Sequence, residues 1–310
     1  MIDCRKPVLL DGNNRLTFSI AACLLEAGCE VMVITEKEAE LYQYFSGKSY
    51  NKITVLKNLE NLPEIDLAIV ITPENETEKS HRITELSKLL PVSTLIAVNS
   101  ESIPVTVLQE KAESPERVIV ANWVEPVETT LFLELVGNDL SNQKRIKDFE
   151  NFAINHLNKD PYVVMGELGY RSRLMASLVR EAFYLIENDY ATVEDIDRAC
   201  RNDSGYYLPF SGNLRYMDLM GTYAYGLVMK ELNPELANHT TVPGFLTELL
   251  EKGGKGMENG NGFYTYGNGE AENWDGLIRN FSMEIRELMD KYPFNYQLEQ
   301  ANGVSVKTCE

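Results

Sequence analysis

Long apolar runs, paired cysteines, histidine and basic charge are what this chain has least of, and each scarcity excludes something. No apolar stretch in the 310 residues approaches the roughly 18–20 needed to cross a bilayer, so no membrane span is expected. The opening MIDCRKPVLL lacks the long apolar segment and small-residue cleavage site of a secretory leader, so a cytoplasmic location is the expectation. The five cysteines, Cys4, Cys23, Cys29, Cys200 and Cys309, are scattered and odd in number, with no C-x-x-C pair. Neither a disulfide framework nor a zinc site follows, and reduced thiols are expected. Lys and Arg total 29 against 47 Asp and Glu, a formal charge of -18. So acidic a body repels nucleic acid and anionic membrane surfaces. A polyphosphorylated ligand such as coenzyme A would need a local basic patch. Only three histidines occur, His81, His156 and His239, each expected at the surface.

What is present is a regular alternation. Pro7–Leu10, Val31–Ile34, Leu67–Ile71 and Leu95–Val98 are short apolar runs separated by polar and helical stretches. Leu16, Ile20, Leu24 and Ala27 recur at helical period, and Gly28 stops that helix. Strands that are apolar throughout, alternating with helices, predict a doubly wound parallel sheet covered on both faces. The texture changes near residue 166. From Arg173 onward the pattern is helical, with Thr192 and Asp195 forming a capping-box-like start. The next β-like run is Phe263–Tyr266, and the Gly-rich stretch from Gly253 to Gly262 reads as a tight turn. The expectation is α/β: a Rossmann-type dinucleotide-fold domain over 1–168, then an all-helical domain over 169–310.

A dinucleotide site of this kind uses G-x-G-x-x-G between the first strand and helix, so that the backbone can approach a pyrophosphate closely. The aligned positions are Gly12, Asn14 and Thr17, one glycine in three. The acidic residue expected at the end of the second strand falls at Thr35, with Glu36 one step on. A Rossmann-like scaffold with reduced or absent NAD affinity and one with retained binding both remain open at this point.

Several ordered motifs resemble the L-3-hydroxyacyl-CoA dehydrogenase family along nearly the whole chain. Asp66 through Glu74 and Lys79 resembles its fourth strand with E-x-x-x-x-K. Asn99-Ser100-Glu101-Ser102-Ile103-Pro104 is similar to N-T-S-S-L-P, and Arg117–Pro126 to R-x-x-G-x-H-F-F-N-P. Gly169–Arg173 stands where P-G-F-V-x-N-R would stand. Ala191–Ala199 is similar to A-T-x-E-D-I-D-x-A, Asp218–Gly221 to D-x-x-G, and Gly262–Tyr266 to G-F-Y-x-Y. The resemblance implies NAD as cofactor, a hydroxyacyl substrate, a role in fatty acid metabolism, a small-molecule ligand in an interdomain cleft, and a homodimer formed by the helical domain.

It also implies four catalytic positions, a His base, a Glu that orients it, and a Ser and an Asn that position the substrate oxygen. In this sequence the His position is Asn122, the Glu position Glu134, the Ser position Glu101 and the Asn position Ser172. Only Glu134 is kept. An amide cannot hold a proton near neutral pH, so general-base catalysis worth about 10²–10⁴-fold is missing at Asn122. Glu101 is the candidate replacement base; its alternative is a solvated loop acid. Glu74 and Lys79 match positions near the cofactor, although Lys79 within EKSHR also reads as a solvated helix face. Arg171 is an added charge able to hold an acidic ligand. The sequence thus admits a degenerate family member with a binding or regulatory role, and a working oxidoreductase on a hydroxyacyl-CoA or small hydroxy acid with Glu101 as base.

Overall fold

The computed structural model describes residues 2–46, 52–59, 62–292 and 294, so Cys309 lies outside the described residues. The chain divides into two compact units, Met1–Leu174 and Met175–Glu310.

The first unit is built on eight strands: β1 (Val8–Gly12), β2 (Val31–Ile34), β3 (Ile53–Leu56), β4 (Leu67–Ile71), β5 (Leu95–Val98), β6 (Val118–Asn122), β7 (Glu134–Gly137) and β8 (Tyr162–Met165). They form one sheet in the order β3-β2-β1-β4-β5-β6-β7-β8. Neighbours run parallel except β6 and β7, which pair antiparallel. The sequence reading of a parallel sheet therefore holds through β6, and the antiparallel step comes where the motif Arg117–Pro126 meets the strand that carries Glu134. Every residue of β1, β4, β5, β6 and β7 is buried, as a sheet covered on both faces requires.

Five helices belong wholly to this unit: α1 (Arg15–Glu26), α2 (Glu38–Tyr44), α3 (Glu76–Leu89), α4 (Val105–Gln109) and α5 (Gln143–His156). Gly28, with φ of +83°, closes α1 as its sequence position predicts. Two apolar clusters hold the unit together. One contains Leu10, Ile20, Leu24, Ile69, Trp123 and Phe149. The other contains Leu9, Ile83, Leu86, Ile96, Val98 and Val120. Arg117 lies wholly buried among carbonyl oxygens. Its guanidinium donates to Leu90 O and Glu113 O at 3.2 and 3.3 Å, and also to Ser87 O and Pro91 O, satisfying the open end of α3.

The second unit is helical. It contains most of α6 (Tyr170–Glu187), whose first five residues belong to the first unit, then α7 (Val193–Ala199), α8 (Gly205–Met220), α9 (Thr222–Leu232), α10 (Gly244–Glu251) and α11 (Glu270–Lys291). The capping box at Thr192 and Asp195 is present as read from the sequence. The predicted β-run at Phe263–Tyr266 does not form a strand. The segment from Gly256 makes only isolated bridges, Gly256 to Asn261 and Asn261 to Thr265. A run of four aromatic and β-branched residues has strand propensity but finds no neighbouring strand to pair with.

Candidate functional site

The end of β6 meets the start of β7 in register, Asn122 opposite Glu134. Cross-strand partners in an antiparallel pair project to the same face, so the two side chains meet. Asn122 Nδ2 donates to Glu134 Oε2 at 3.0 Å, and Asn122 Oδ1 accepts from Ser100 N at 3.0 Å. Both side chains are fully buried. The amide is therefore engaged at both ends, with its orientation fixed by an acceptor on one side and a donor on the other.

The other oxygen of Glu134 is engaged as well. Oε1 accepts from Tyr162 Oη at 2.8 Å, from Tyr170 N at 2.6 Å and from Arg171 N at 3.1 Å. The last two are the first N–H groups of α6, where an anion is favoured by unpaired donors and by the helix dipole. The approach needs a glycine just ahead of the helix. A Cβ on Gly169 would stand 1.9 Å from Glu134 Oε2. Burial, reinforced by the neighbouring Glu134 carboxylate, pushes the Tyr162 hydroxyl above the ordinary phenol range, so it stays a donor.

Glu101 is not a free loop acid. Its Oε1 pairs with Arg171 Nη1 at 2.6 Å, and Ser172 Oγ donates to its second oxygen. Glu101 and Arg171 are each about a third exposed, and the Arg171 guanidinium lies 5.9 Å from the Phe132 ring centroid. The residues at the Ser and Asn positions of the resemblance, together with the added arginine, thus satisfy one another.

Glu74 and Lys79 anchor the same loop from the other side. Glu74 Oε1 accepts from Ser100 Oγ, Glu101 N, Ser102 N and Ser102 Oγ, at 2.7 to 3.0 Å. Burial raises the Glu74 carboxyl, but these hydrogen bonds and the Lys79 ammonium outweigh it, and the group sits below its ordinary range. Lys79 is fully buried, which overturns its reading as a solvated helix face. Its Nζ donates to Thr72 O and Asn99 O at 2.9 and 2.6 Å and lies 3.3 Å from Glu74 Oε2. Burial lowers the Lys79 ammonium from its usual value despite Glu74.

At the β1–α1 turn, Asn14 is the N-cap of α1. Its Oδ1 accepts from Thr17 N at 3.0 Å and from Thr17 Oγ1 at 2.9 Å. One of the donors that a helix start offers to a phosphate is thereby taken by the protein itself. Gly12 remains glycine for a packing reason, since a Cβ there would stand 2.3 Å from Thr17 Oγ1 and 2.7 Å from Ile71 O. Asn13 Oδ1 accepts from Thr35 Oγ1 at 3.0 Å and Glu36 N at 2.7 Å, tying the end of β2 to the turn. Asp11, nearly buried, pairs with Arg82, and burial still raises its carboxyl.

These residues fit an NAD in the sheet's carboxyl edge better than in the turn. Thr72 Oγ1 and Asn99 Oδ1 are buried side-chain oxygens with no partner in the protein. They follow β4 and β5, at the edge where doubly wound sheets take ligands, and their carbonyls converge on Lys79. A polar cofactor group there would supply the missing partners. Thr35 and Glu36 stand beside the turn, next to the start of α1.

The structure thus brings Asn122, Glu134, Glu101, Ser172, Glu74 and Lys79 into one hydrogen-bonded network, and places Gly12, Asn14, Thr17, Thr35 and Glu36 around the β1–α1 turn. Sequence reasoning missed Tyr162, Arg82, Asn13 and the clearance role of Gly169. Only Gly169 left a signal, as the motif glycine directly before a helix. The three histidines are exposed, and among the described residues no group of His, Cys, Asp and Glu could hold a metal.

Comparison with known proteins agrees with this architecture. Residues 35–168 match the 3-hydroxyacyl-CoA dehydrogenase NAD binding domain, and residues 170–266 match the 3-hydroxyacyl-CoA dehydrogenase C-terminal domain. The first match begins beyond β1 and α1. A 3-hydroxybutyryl-CoA dehydrogenase of Mycobacterium tuberculosis is 28% identical over 258 residues, covering 82% of this chain and 85% of its own. A 5-formyl-3-hydroxy-2-methylpyridine 4-carboxylate 5-dehydrogenase of Mesorhizobium japonicum is 26% identical over 203 residues, 65% of either chain. Among solved structures, a 5-dehydrogenase of that pyridine carboxylic acid, described as an NAD+ dependent dismutase, superposes with a TM-score of 0.83. It does so at 20% identity, over 92% of this chain and 99% of the other, a likeness of fold. The chain belongs to the 3-hydroxyacyl-CoA dehydrogenase family of NAD-dependent oxidoreductases, and its N-terminal unit carries that family's NAD binding domain.

Proposed function

We propose that this protein keeps the family's scaffold while its inherited alcohol oxidation is nearly silent, leaving a binding or regulatory role. One observation carries the reading. Asn122, at the position of the proton acceptor, is a buried amide held by Glu134 and by Ser100 N. An amide takes no proton near neutral pH, and Glu134, with four donors on its two oxygens, is saturated as an orienting acid. NAD, when bound, supplies a hydride acceptor. Glu36, Thr35 and the start of α1 would hold its adenosine and phosphates, and Thr72 and Asn99 its other end. With Asn14 taking one helix donor, weakened affinity is the expectation.

The test is NAD reduction by purified protein with 3-hydroxybutyryl-CoA, alongside calorimetric titration of NAD and NADH. Turnover about 10²–10⁴-fold below that of a histidine-bearing relative is expected. Robust turnover, undiminished in Glu101→Gln, would overturn the proposal.

A second reading has its own support. Glu101 carries a partly exposed carboxylate where the family has a serine, oriented by Arg171 and Ser172. It would serve as substitute base in an oxidoreductase acting on a hydroxyacyl-CoA or a small hydroxy acid. The pyridine carboxylate in the name of one relative favours the small acid. On this reading NAD binds tightly, and Glu101→Gln abolishes turnover.

Both readings include a small-molecule ligand, a cytoplasmic setting and a homodimer. No described helix is long and apolar enough to cross a membrane. The dimer is supported by large apolar side chains left open on the second unit, among them Leu214, Tyr223 and Phe281. Light scattering on the eluting protein tests it.

A further inference from the structure

We propose that Cys4 and Cys29 form an oxidation site, a thiol pair that reacts with hydroperoxides and closes to a disulfide around β1 and α1. The geometry carries it. Cys29 Sγ donates to Cys4 Sγ at 3.1 Å, across a sequence separation of 25 residues. Bonded sulfurs stand about 2.05 Å apart, so closure needs a movement of about 1 Å.

Both backbones are held where they are. Cys29 N donates to Leu24 O at 3.0 Å, and Val8 N donates to Glu30 O at 2.9 Å, fixing the turn ahead of β2. Cys4 lies in a turn closed by Lys6 N on Asp3 O at 3.0 Å, and Asp3 N in turn donates to Asp66 at 3.3 Å. The two thiols therefore meet because the structure on each side brings them there, not through a chance rotamer of a loose terminus.

The sulfurs differ in access, which orders the steps. Cys4 is partly exposed, whereas Cys29 is fully buried, and burial pushes its thiol well above the ordinary value. A hydroperoxide, ROOH, meets Cys4 first. The Cys4 sulfur takes the terminal OH group, the O–O bond breaks, and the departing alkoxide takes the Cys4 proton and leaves as ROH. The Cys29 sulfur then attacks Cys4. The S–S bond forms, the S–O bond breaks, and the Cys29 proton leaves with hydroxide as water. Two thiols lose two electrons in all, and the peroxide gains them.

The closed loop contains all of β1, the Asp11–Asn14 turn and α1. Oxidation therefore staples the strand, turn and helix that carry Gly12 and Asn14, chiefly by restricting the unfolded chain.

The test treats the full chain with a small excess of hydrogen peroxide, quenches with N-ethylmaleimide and maps peptides without reductant. The expected result is a Cys4–Cys29 crosslink and the loss of two hydrogens. Dithiothreitol reverses it, and Tm rises by a few degrees, on the order expected for a stapled domain of this size. Cys4→Ser removes both signals, while Cys23→Ser keeps them; Cys23 is buried with its Sγ 3.9 Å from Leu157 O. Three outcomes would overturn the proposal: Cys4 passing to sulfinic or sulfonic acid without a crosslink, a crosslink to Cys23 instead, or no oxidation of either thiol at a peroxide dose that oxidises free cysteine.

Discussion

The two units of this chain, both patterned in apolar and polar residues, treat that pattern in opposite ways. Among the described residues, every buried side chain except Ser211 and Ala237 lies in the first unit. The second unit has amphipathic helices whose apolar residues stay open, Tyr223 at 80% and Leu214 at 76% exposure. A helical period in a sequence states that one face must be covered, but not by which chain. In the first unit the sheet covers it; in the second the cover has to come from elsewhere, and a second copy is the proposed source.

The comparison can be broken by making one kind of change in each unit. Phe149, fully buried in α5 against Trp123 and Phe152, should lose about 3–5 kcal/mol on Phe149→Ala, read as a fall in the guanidinium midpoint of the first unit's transition. Glu134→Leu comes next. It strands the Asn122 amide and the Tyr162 hydroxyl, each costing about 1–3 kcal/mol if buried without a partner. Hydrogen exchange at Tyr170 and Arg171, whose N–H groups lose their acceptor, should rise together with that loss. A smaller effect is expected in the second unit. Phe281→Ala on α11 should move the midpoint of dilute protein by under about 0.5 kcal/mol, as for an open surface site. Phe281→Asp should instead lower the association state seen by light scattering. A loss at Phe281 as large as at Phe149, in protein diluted to the monomer, would remove the distinction between the units.

The smallest effect concerns acid. The Glu74 carboxyl is depressed in the folded chain, so its contribution is present above its unfolded value, about 4.3, and is lost as pH falls through the lower folded value. The Tm difference between the native protein and Glu74→Gln should therefore be constant near neutrality and shrink below about pH 4. A difference that grows on acidification would reverse the sign of this argument.

The sequence foretold the alternation of strands and helices because buried parallel strands write themselves as uninterrupted apolar runs. The helix limits at Gly28 and Thr192 were equally legible, since each depends on local backbone chemistry. The failed strand at Phe263–Tyr266 marks the limit of propensity without a pairing partner. In the site, the residues at the Ser, His, Glu and Asn positions were identifiable, but not that Glu101, Arg171 and Ser172 would answer one another. That match joins residues about 70 apart and depends on where α6 starts. Whether Lys79 was buried or solvated stayed open for the same reason. Nothing in a polar helical stretch tells that two carbonyls at strand ends will receive its ammonium.

One carboxylate oxygen of Glu74 gathers four donors from three consecutive residues, Ser100 to Ser102. Connecting segments usually accept extra residues easily, and proteases find them first. This one should behave as the reverse. An added residue between Ser100 and Ser102 would pull the amides out of step with a single fixed acceptor, and a protease would have to strip all four donors away before it could cut.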